Sequence, residues 1–482
     1  MKIIDHNEEK AFHPSLDTKD NILVLGFRRK TEDGKESDLF IIKADGQLFI
    51  SEKAEFEYNE KKFLIDKKKR LLAKLSQKWG ADRLTAFLES LSNPINKISE
   101  RAVYEKIKDN LKRYIELEHE ADYSILTTWV IGTYFFPSFG AYPYIHIKAP
   151  KGSGKSQCLQ FILQTAFNAV KARASLPALR DTVDALRGTY LMDQADALYR
   201  NNMEDFLDVL TDSYKRGSGT IRKMVANKNN WSLEEFEAYS PKGFASINQL
   251  PEDLRDRCIV IPLIRSSKNY PSINEEDEIW KEIKNDLYIL LINQFQYVGQ
   301  TYFLKEIEYK RSNEIFGRRL ELWLPIEAIM RGAIFSPEEE IEVCKKRFLS
   351  RYEFASYQTS EIEVAVIETI IALMKDKQEL ILRPKEIASQ IDTELFDDDD
   401  KFQYASQKQK STIVGRAITK FNLAVQKLAR DSQGERYLFK KDQLEKIHRG
   451  YFPQKEENDT QTYTEEKPPE NKDLFNESSS VF

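Results

Sequence analysis

The spacing of apolar residues predicts a strand-rich segment at the start of the chain. Short apolar runs separated by turn residues are typical of β-strands, and an Asp-Gly pair between two runs favours a hairpin. Such runs lie at residues 21–27, 38–43 and, after Asp45-Gly46, 47–51. We therefore predict a small β-rich domain over residues 1–66.

The next segment changes to a helical period. Apolar side chains recur every three or four positions over residues 67–93 and 98–118, as on a helix with one buried face. The first stripe consists of Leu71, Leu72, Leu75, Trp79, Leu84 and Phe87. We interpret residues 67–121 as a helical connector that packs on its neighbours, in preference to a ligand site.

The central part of the chain has the pattern of an α/β fold. From residue 122 to about residue 265, short apolar strands alternate with amphipathic helices, which predicts a parallel sheet. Further helices run to about residue 350. We predict one domain over residues 122–350, with a sheet and a helical lid.

The last third of the chain changes pattern twice. Residues 351–451 predict a smaller domain that consists of a helix, a short strand, two helices and a hairpin-like end. Residues 452–482 are too polar to bury a core, and we predict that they form a disordered acidic tail.

The distribution of charge is more informative than its sum. The chain has 73 Lys and Arg against 78 Asp and Glu, and the net charge of -5 argues against nonspecific nucleic-acid binding over the whole surface. The predicted tail holds 3 basic and 8 acidic residues, which leaves 70 of each in the other 451 residues. Local clusters of positive charge are therefore the relevant signal.

Composition excludes several classes of protein. A length of 482 residues corresponds to about three domains. The three cysteines (Cys158, Cys258 and Cys344) and the five histidines lack zinc-site spacing, so any metal chemistry would use carboxylates. No apolar run is long enough for a membrane span or a secretion signal. We expect a cytoplasmic protein without a disulfide framework.

A phosphate-binding loop is the strongest chemical signal. A predicted strand at residues 144–148 runs into eight residues that combine small side chains, a lysine and a hydroxyl, and a predicted helix follows at residues 157–170. Backbone N–H groups of such a loop surround phosphate oxygens, the lysine reaches the β- and γ-phosphates, and the hydroxyl binds Mg²⁺. The loop consists of Ala149, which replaces the usual Gly, Pro150, Lys151, Gly152, Ser153, Gly154, Lys155 and Ser156. We predict that it binds ATP with Mg²⁺.

A carboxylate at the end of a second apolar strand completes the predicted metal site. Asp193 lies 38 residues after Lys155, and in a P-loop ATPase such a carboxylate holds Mg²⁺. The next residue is Gln194, where these ATPases usually have the glutamate that activates water. Three explanations are open: Asp196 replaces it, hydrolysis is slow because loss of a general base costs about 10² to 10⁴ in rate, or the chain is an engineered ATP trap.

Polar residues around a third strand extend the site. Asn248 ends that strand, where it would orient the attacking water; a turn-forming role is the alternative. Arg255 and Arg257 come next, and an arginine there can reach the γ-phosphate bound by a neighbouring subunit. Each arginine could instead pair with a nearby carboxylate, and we favour Arg257 as the finger.

Together these residues resemble a known family. With further matching motifs at residues 129–134, 215–217, 250–257 and 318–323, they resemble AAA+ ATPases of bacterial mobile elements and phages, of the MCM-like, self-loading replicative helicase type. The resemblance covers about residues 122–350, and more weakly the region that follows. Gln194 is the one mismatch, and it bears on turnover rather than on ATP binding.

The resemblance implies a role for each of these positions. The implied roles are nucleotide and Mg²⁺ ligands at Lys155 and Ser156, a second Mg²⁺ ligand at Asp193, a sensor at Asn248, a trans-acting finger at Arg257 and a second sensor at Arg318 or Arg319. The resemblance also implies a hexameric ring that acts on single-stranded and forked duplex DNA.

An insertion before the third strand predicts a DNA-contacting hairpin. Two strand-like runs surround a basic, amide-rich tip, and in MCM-like helicases a hairpin at this place contacts DNA phosphates in the channel of the ring. The candidate contacts are Lys215, Arg216, Arg222, Lys223 and Lys228. A solvated, charged hairpin is the alternative.

The C-terminal pattern predicts a winged helix-turn-helix domain. The order of helix, strand, two helices and hairpin places a basic helix where it would enter a major groove. The candidate contacts on this helix are Lys408, Lys410, Arg416 and Lys420. Winged helices also bind proteins, and that alternative stays open.

Several functions remain compatible with the sequence. The preferred one is an oligomeric AAA+ motor that translocates on DNA and unwinds it. The alternatives are an initiator or regulator that uses ATP as an assembly switch, and a defence or signalling NTPase whose winged helix binds protein. In the tail, a segment with Asp473, Leu474 and Phe475 resembles the peptide by which bacterial replication proteins bind the sliding clamp.

Overall fold

The computed structural model divides the chain into two compact units. Unit 1 spans residues 1–356 and unit 2 spans residues 357–482. The described residues are 11–30, 34, 36–66, 79, 81–90, 99–150, 152–172, 175–199, 202–227, 230–263, 266, 268–356, 361–375, 377–391, 407–420, 423–432 and 434–445. Within these ranges, no helix combines the length and the apolar composition that a membrane crossing requires.

Unit 1 begins with antiparallel strands. A four-stranded sheet contains, in sequence order, β1 Leu16–Lys19, β2 Ile22–Lys30, β3 Glu36–Ala44 and β4 Gln47–Ser51, and a separate hairpin contains β5 Glu55–Tyr58 and β6 Lys61–Leu64. Asp45 and Gly46 join β3 to β4 with φ angles of 43° and 80°. This left-handed backbone is the one that tight hairpin turns need, and it accounts for the Asp-Gly pair.

The first sheet packs against the rest of unit 1. Leu23, Leu25 and Phe27 of β2 belong to the main hydrophobic core, whereas the alternate residues Ile22 and Val24 face a smaller cluster under the second hairpin. This alternation follows from the two-residue period of a strand. The N-terminal strands therefore share their core with the elements that follow, and the boundary at residue 66 stays a prediction.

The remainder of unit 1 alternates helices and strands. Its elements are α1 Ala81–Ser90, α2 Glu100–Tyr114, α3 Glu120–Phe135, β7 Tyr144–Lys148, α4 Lys155–Thr165, β8 Val170–Lys171, α5 Leu176–Leu186, β9 Tyr190–Met192, α6 Glu204–Asp212, β10 Thr220–Asn227, β11 Asn230–Glu237, β12 Lys242–Ser246, α7 Glu252–Arg255, β13 Cys258–Pro262, α8 Glu278–Ser312, α9 Gly317–Ile329 and α10 Glu338–Ser356. Three described residues of the predicted apolar stripe, Trp79, Leu84 and Phe87, are buried.

A parallel sheet forms the centre of unit 1. Five strands pair in the order β13-β7-β12-β9-β8, all of them parallel. Every residue of β12 is buried, as is usual for a parallel sheet covered on both faces. The predicted mixed α/β fold with a parallel sheet is confirmed. The carboxyl ends of all five strands lie at one edge, where such sheets bind ligands.

One predicted helix is shorter than expected. The helix expected at residues 157–170 ends at Thr165, and Val170 and Lys171 form the edge strand β8 instead. Asn168 turns the chain between them with a φ of 42°. Two residues are too few for a periodicity signal, so only their pairing with Tyr190 and Leu191 of β9 defines the strand.

Unit 2 is a small helical domain with an antiparallel sheet. Its elements are α11 Glu361–Met374, β14 Glu379–Leu382, α12 Pro384–Ala388, α13 Gln407–Lys420, β15 Gln426–Asp431 and β16 Gly434–Lys440, and the strands pair in the order β14-β16-β15. Its core contains Val366 and Ile370 of α11, Val414 and Ile418 of α13, and Phe439 of β16. The apolar faces of the two longer helices therefore cover this sheet.

Candidate functional site

The phosphate loop, residues 149–156, joins β7 to α4 at the carboxyl edge of the parallel sheet. Gly152 and Gly154 have φ angles of 76° and 82°, which side chains with a Cβ rarely adopt. A Cβ at either position would meet no atom within 4 Å, so the backbone conformation alone requires glycine. Gly154 caps α4 without a side-chain hydrogen bond, and this leaves first-turn N–H groups free of a side-chain acceptor.

Two polar side chains of the loop are placed to donate hydrogen bonds to a phosphate. The hydroxyl of Ser153 is buried and has no hydrogen-bond partner among the described residues. The Lys155 ammonium donates to the loop's own carbonyls, at 2.5 Å from Ala149 O and 2.8 Å from Pro150 O. Ser153 is therefore a donor that the loop does not satisfy internally, and Lys155 would exchange its carbonyl partners for phosphate oxygens. Lys151 lies outside the described residues.

The second predicted metal ligand lies beside the loop. Ser156 Oγ donates to Asp193 Oδ2 at 3.3 Å, although 37 residues separate them. The contact forms because β9, which ends just before Asp193, lies two strands from β7 in the same parallel sheet. The backbone N–H of Gln194 donates to the other oxygen, Oδ1, at 3.0 Å. Gln194 is exposed and has a φ of 57°.

A lysine that the sequence did not single out contacts this carboxylate. Lys171 Nζ lies 2.8 Å from Asp193 Oδ2, the oxygen that also faces Ser156. Lys171 is the second residue of the edge strand β8, next to β9. The two-residue strand has no periodic signal in the sequence, and the helix predicted at residues 157–170 includes Val170 but ends before Lys171.

Asp196 anchors the predicted sensor loop. Its Oδ2 accepts the N–H of Ile247 at 3.0 Å, and its Oδ1 accepts the N–H of Asn248 at 2.9 Å. Partial burial opposes ionisation, but these two hydrogen bonds outweigh it and lower the pKa of Asp196. A carboxylate with a low pKa and both oxygens engaged is a poor proton acceptor. The geometry thus favours a positioning role over replacement of the missing glutamate.

A buried histidine, His146, is connected to the same loop through Ser246. His146 Nε2 lies 2.7 Å from Ser246 Oγ, and this hydroxyl donates to Asn248 O at 2.6 Å. Since the serine proton is used in the second bond, Nε2 must carry the proton of the first. Burial, with a smaller contribution from the charge of Lys148, lowers the pKa of His146 to about 3. The histidine therefore stays neutral.

Arg257, the predicted finger, lies at the end of β7 opposite to the phosphate loop. Arg257 O accepts the N–H of Tyr144, the first residue of β7, whereas the phosphate loop follows the last residue of this strand, about 13 Å away at 3.3 Å per residue. Its guanidinium donates to Asp253 O and lies 5.2 Å from the ring centroid of Tyr214. Burial and then the charge of Arg255 lower the pKa of Lys148, the last residue of β7.

The predicted second sensor joins Arg257 at this end. The guanidinium of Arg318 lies 4.4 Å from the ring centroid of Tyr214 and donates to Glu321 Oε2 at 2.7 Å. Lys215 pairs with the same carboxylate through Oε1 at 2.5 Å. Arg319, the next residue, is partly buried. The roles of Arg257, Arg318 and Arg319 stay predictions.

The inserted hairpin, formed by β10 and β11, is close to neutral along its strands. Arg222 pairs with Glu235 at 2.9 Å, and Lys223 is the register partner of Glu234. Trp231 is 71% exposed. Lys228 lies outside the described residues. The strands thus present an exposed aromatic ring, and the charge of Arg222 is compensated by Glu235.

Arg216 connects the core to the first sheet. Its guanidinium donates to Pro137 O at 2.8 Å, to Thr18 O at 3.0 Å and to Asp17 Oδ1 at 3.4 Å. A contact with DNA would require this residue to break these bonds. The DNA-binding assignment of Arg216 and of the hairpin residues stays a prediction.

Unit 2 has a basic groove of about 810 Å³ between α13, the start of α12 and the β15–β16 hairpin. The cationic lining residues are Arg383, Lys385, Lys408, Arg416, Lys427 and Arg430, and Glu435 is the one acidic residue among those that line it. Arg383 and Lys427 pair with Asp431 and Glu435, both at 2.7 Å. Lys410 does not line the groove, and the side chain of Lys420 lies outside the described residues, as do Asp473, Leu474 and Phe475.

The residues at the sheet edge fit a Mg²⁺–nucleotide complex. Mg²⁺ bound with a nucleotide needs only one or two protein oxygens, because phosphates and water supply the others. Ser156 and Asp193 provide these oxygens within 3.3 Å of each other, next to the loop that carries the unpartnered Ser153 hydroxyl. No cluster of three or more metal-binding side chains occurs in the described part of the chain. A metal held by protein ligands alone is therefore not indicated there.

Comparison with known proteins gives structural neighbours but no family. Neither a family model nor a curated protein matches the sequence. The fold is similar to SCCmec type IV Cch, described as an active helicase (11% identity, TM-score 0.36, 90% of this chain and 97% of that chain). It is also similar to the apo C-terminal region of NrS-1 (11%, 0.34, 86% and 96%) and to a full-length MCM homologue from Methanopyrus kandleri (10%, 0.32, 68% and 76%).

Proposed function

We propose that this protein is an ATP-dependent DNA helicase or translocase of the AAA+ class, which acts as an oligomer in the replication of a mobile element or phage. The observation that carries the proposal is the convergence at one sheet edge of a glycine-turned loop, the Ser156–Asp193 pair and the anchored Asn248 loop. These are the parts that phosphoryl transfer from a nucleotide requires: a phosphate cradle, a metal site and a polar group near the γ-phosphate.

The basic groove of unit 2 supports the DNA part of the proposal. Six cationic side chains and one carboxylate line a groove beside a helix and a β-hairpin. In a winged helix-turn-helix domain, such a helix enters the major groove while the hairpin contacts the phosphate backbone. We assign the groove of unit 2 to duplex DNA on this basis.

A test of the proposal compares three forms of the full chain. ATPase activity stimulated by single-stranded DNA and unwinding of a forked duplex are measured for the natural sequence, for Gln194→Glu and for Lys155→Ala. We expect Gln194→Glu to hydrolyse ATP about 10² to 10⁴ times faster, because it restores a carboxylate base. Lys155→Ala should lose ATP binding. If Gln194→Glu neither hydrolyses ATP nor unwinds the duplex, the helicase proposal is wrong.

Gln194 favours one alternative. An ATP-switched DNA-binding initiator would bind the nucleotide, assemble and not turn it over, and an amide in place of the catalytic glutamate suits such a switch. The unwinding assay distinguishes the two functions, because in an initiator Gln194→Glu would gain hydrolysis without unwinding. ATP-dependent assembly of the initiator would be measured separately by analytical ultracentrifugation.

A further inference from the structure

Lys171 contacts the carboxylate oxygen of Asp193 that is proposed to bind Mg²⁺. Its ammonium lies 2.8 Å from Asp193 Oδ2, and Ser156 Oγ lies 3.3 Å from the same oxygen. Ser156 and Asp193 are the residues that would hold Mg²⁺, and Lys171 contacts the same oxygen of Asp193 as Ser156 does. An ammonium and a dication at one carboxylate would repel each other strongly.

The contacts of Asp193 allow Lys171 to leave without loss of the carboxylate geometry. The other oxygen, Oδ1, accepts the backbone N–H of Gln194 at 3.0 Å, so the carboxylate stays oriented when Oδ2 is released. The Lys171 side chain is 43% exposed, on a flexible four-carbon stem. It belongs to a two-residue edge strand whose one neighbour among the described residues is β9, so no second strand of the described part of the chain restrains it.

We infer that Lys171 is a positioning residue that competes with Mg²⁺ for Asp193, and so sets the Mg²⁺ concentration at which the nucleotide complex forms. This inference rests on the proposed nucleotide site. In the nucleotide-free protein the lysine supplies the positive charge beside Asp193. Binding of a Mg²⁺–ATP complex by Ser156 and Asp193 would then require Lys171 to release Oδ2 and to move away from the carboxylate.

The test measures Mg²⁺ dependence rather than activity. Binding of a fluorescent ATP analogue to the full chain is titrated with Mg²⁺ for the natural sequence, Lys171→Met and Lys171→Arg. Lys171→Met keeps the length of the side chain without its charge, and we expect it to lower the Mg²⁺ midpoint about two- to fivefold, the scale of a partly exposed ion pair. Lys171→Arg keeps the charge and should keep a midpoint close to that of the natural sequence.

A matched control separates this effect from a general change of surface charge. Lys281 pairs with Glu278 at the same distance of 2.8 Å, on an exposed surface of α8. Lys281→Met should leave the Mg²⁺ midpoint unchanged. Binding of the analogue in EDTA is measured for every variant, since a lysine that contacts phosphate would weaken binding there too.

The outcomes distinguish this inference from the function on which it rests. If Lys171→Met has an unchanged or higher Mg²⁺ midpoint, Lys171 does not compete with the metal and the inference is wrong. A parallel loss of affinity in EDTA and in Mg²⁺ would make it a phosphate contact, which also overturns the inference while the nucleotide site stands. If the unaltered chain does not bind the analogue, or if Lys155→Ala binds it equally well, the nucleotide site itself is refuted.

Discussion

At the scale of single residues, buried polar groups give the sensor loop its shape. Asp196 accepts two backbone N–H groups of this loop, and Ser246 donates to the carbonyl of Asn248 while it accepts from His146. His146 lies in β7, and Ser246 and Asn248 lie in and after β12. Hydrogen bonds therefore connect β7, which leads into the phosphate loop, to the loop that carries Asn248. In each bond the donor and the acceptor are fixed: His146 donates to Ser246, and Ser246 donates to Asn248 O.

His146 makes the stability of unit 1 depend on pH. Its pKa falls from 6.5 to about 3 on folding, so the unfolded chain binds a proton that the folded protein does not between these values. This contribution to stability is complete above pH 6.5 and is lost as the pH falls toward 3. Between pH 7.5 and 5.5 we expect a loss of about 1.4 kcal/mol from this group.

The measurement is urea unfolding followed by tryptophan fluorescence at the two pH values. All five tryptophans lie in unit 1, so the signal reports on this unit alone. His146→Gln can still donate to Ser246 but does not titrate. The free energy of unfolding of this variant should be less sensitive to pH by about the same 1.4 kcal/mol. An equal pH dependence in both proteins would contradict the prediction.

At the scale of elements, the two candidate DNA-contacting hairpins differ in charge. The β15–β16 hairpin of unit 2 lines a groove with six cationic residues, of which Lys385, Lys408 and Arg416 make no ion pair within the described residues. In the inserted hairpin of unit 1, Arg222 is paired with Glu235, and Trp231 is the exposed feature. Phosphate contact therefore favours the groove of unit 2, and base stacking favours the inserted hairpin.

The groove of unit 2 predicts a measurable salt dependence. If Lys408 and Arg416 each neutralise one phosphate, Lys408→Ala and Arg416→Ala should each reduce the slope of log affinity against log salt by about 0.9 for duplex DNA. The affinity is measured by fluorescence anisotropy on the full chain at several salt concentrations. Lys440, which pairs with Glu379 at 2.9 Å and does not line the groove, provides the control variant Lys440→Ala. An unchanged slope in both groove variants would exclude this DNA assignment.

At the scale of the whole molecule, one chain does not bring together every part of the proposed ATPase. The phosphate loop follows the last residue of β7, and Arg257 lies beside the first. About 13 Å of strand separates these ends, so Arg257 does not reach the loop of its own chain. A role in phosphoryl transfer requires the loop of a second copy, as in a head-to-tail ring.

Mixing two inactive variants tests this requirement. In a Gln194→Glu background, Lys155→Ala removes the nucleotide ligand and Arg257→Ala removes the finger, and we expect each alone to lose ATPase activity. In an equal, randomly assembled mixture, about one quarter of the interfaces combine an intact Lys155 with an intact Arg257, so about a quarter of the activity should return. The same mixture made with Arg255→Ala serves as the comparison. Recovery with Arg255→Ala but not with Arg257→Ala would identify Arg255 as the finger.

The sequence predicted the parts of the site that depend on local signals. The loop at residues 149–156 was predicted because small residues, a lysine and a hydroxyl at fixed spacing are a local pattern. Asp193 was predicted because it ends an apolar strand 38 residues after Lys155. Lys171 was missed because its strand has two residues, and pairing with β9, not a periodic pattern, makes it a strand.

The roles of basic residues were harder to predict, because the neighbouring side chains decide whether a basic residue forms an intramolecular ion pair or is available to DNA. The sequence predicts that Lys215, Arg216 and Arg222 contact DNA, yet each has an intramolecular partner. Lys215 pairs with Glu321, Arg216 donates to Asp17 of the first sheet, and Arg222 pairs with Glu235. Lys408 and Arg416 line the groove of unit 2 with cations from α12 and β15. A single sequence does not contain these distances.

By itself, the sequence determined the α/β class, the phosphate loop, and the strands and helices with long periodic patterns, because backbone conformation and amphipathic spacing are local properties. The tertiary structure decided which strand lies beside which, and with it the contact of Lys171 with Asp193, the anchoring of Asn248 by Asp196, and the separation of Arg257 from the loop of its own chain. These depend on the order of strands in the sheet, which joins residues far apart in the chain and has no local signature.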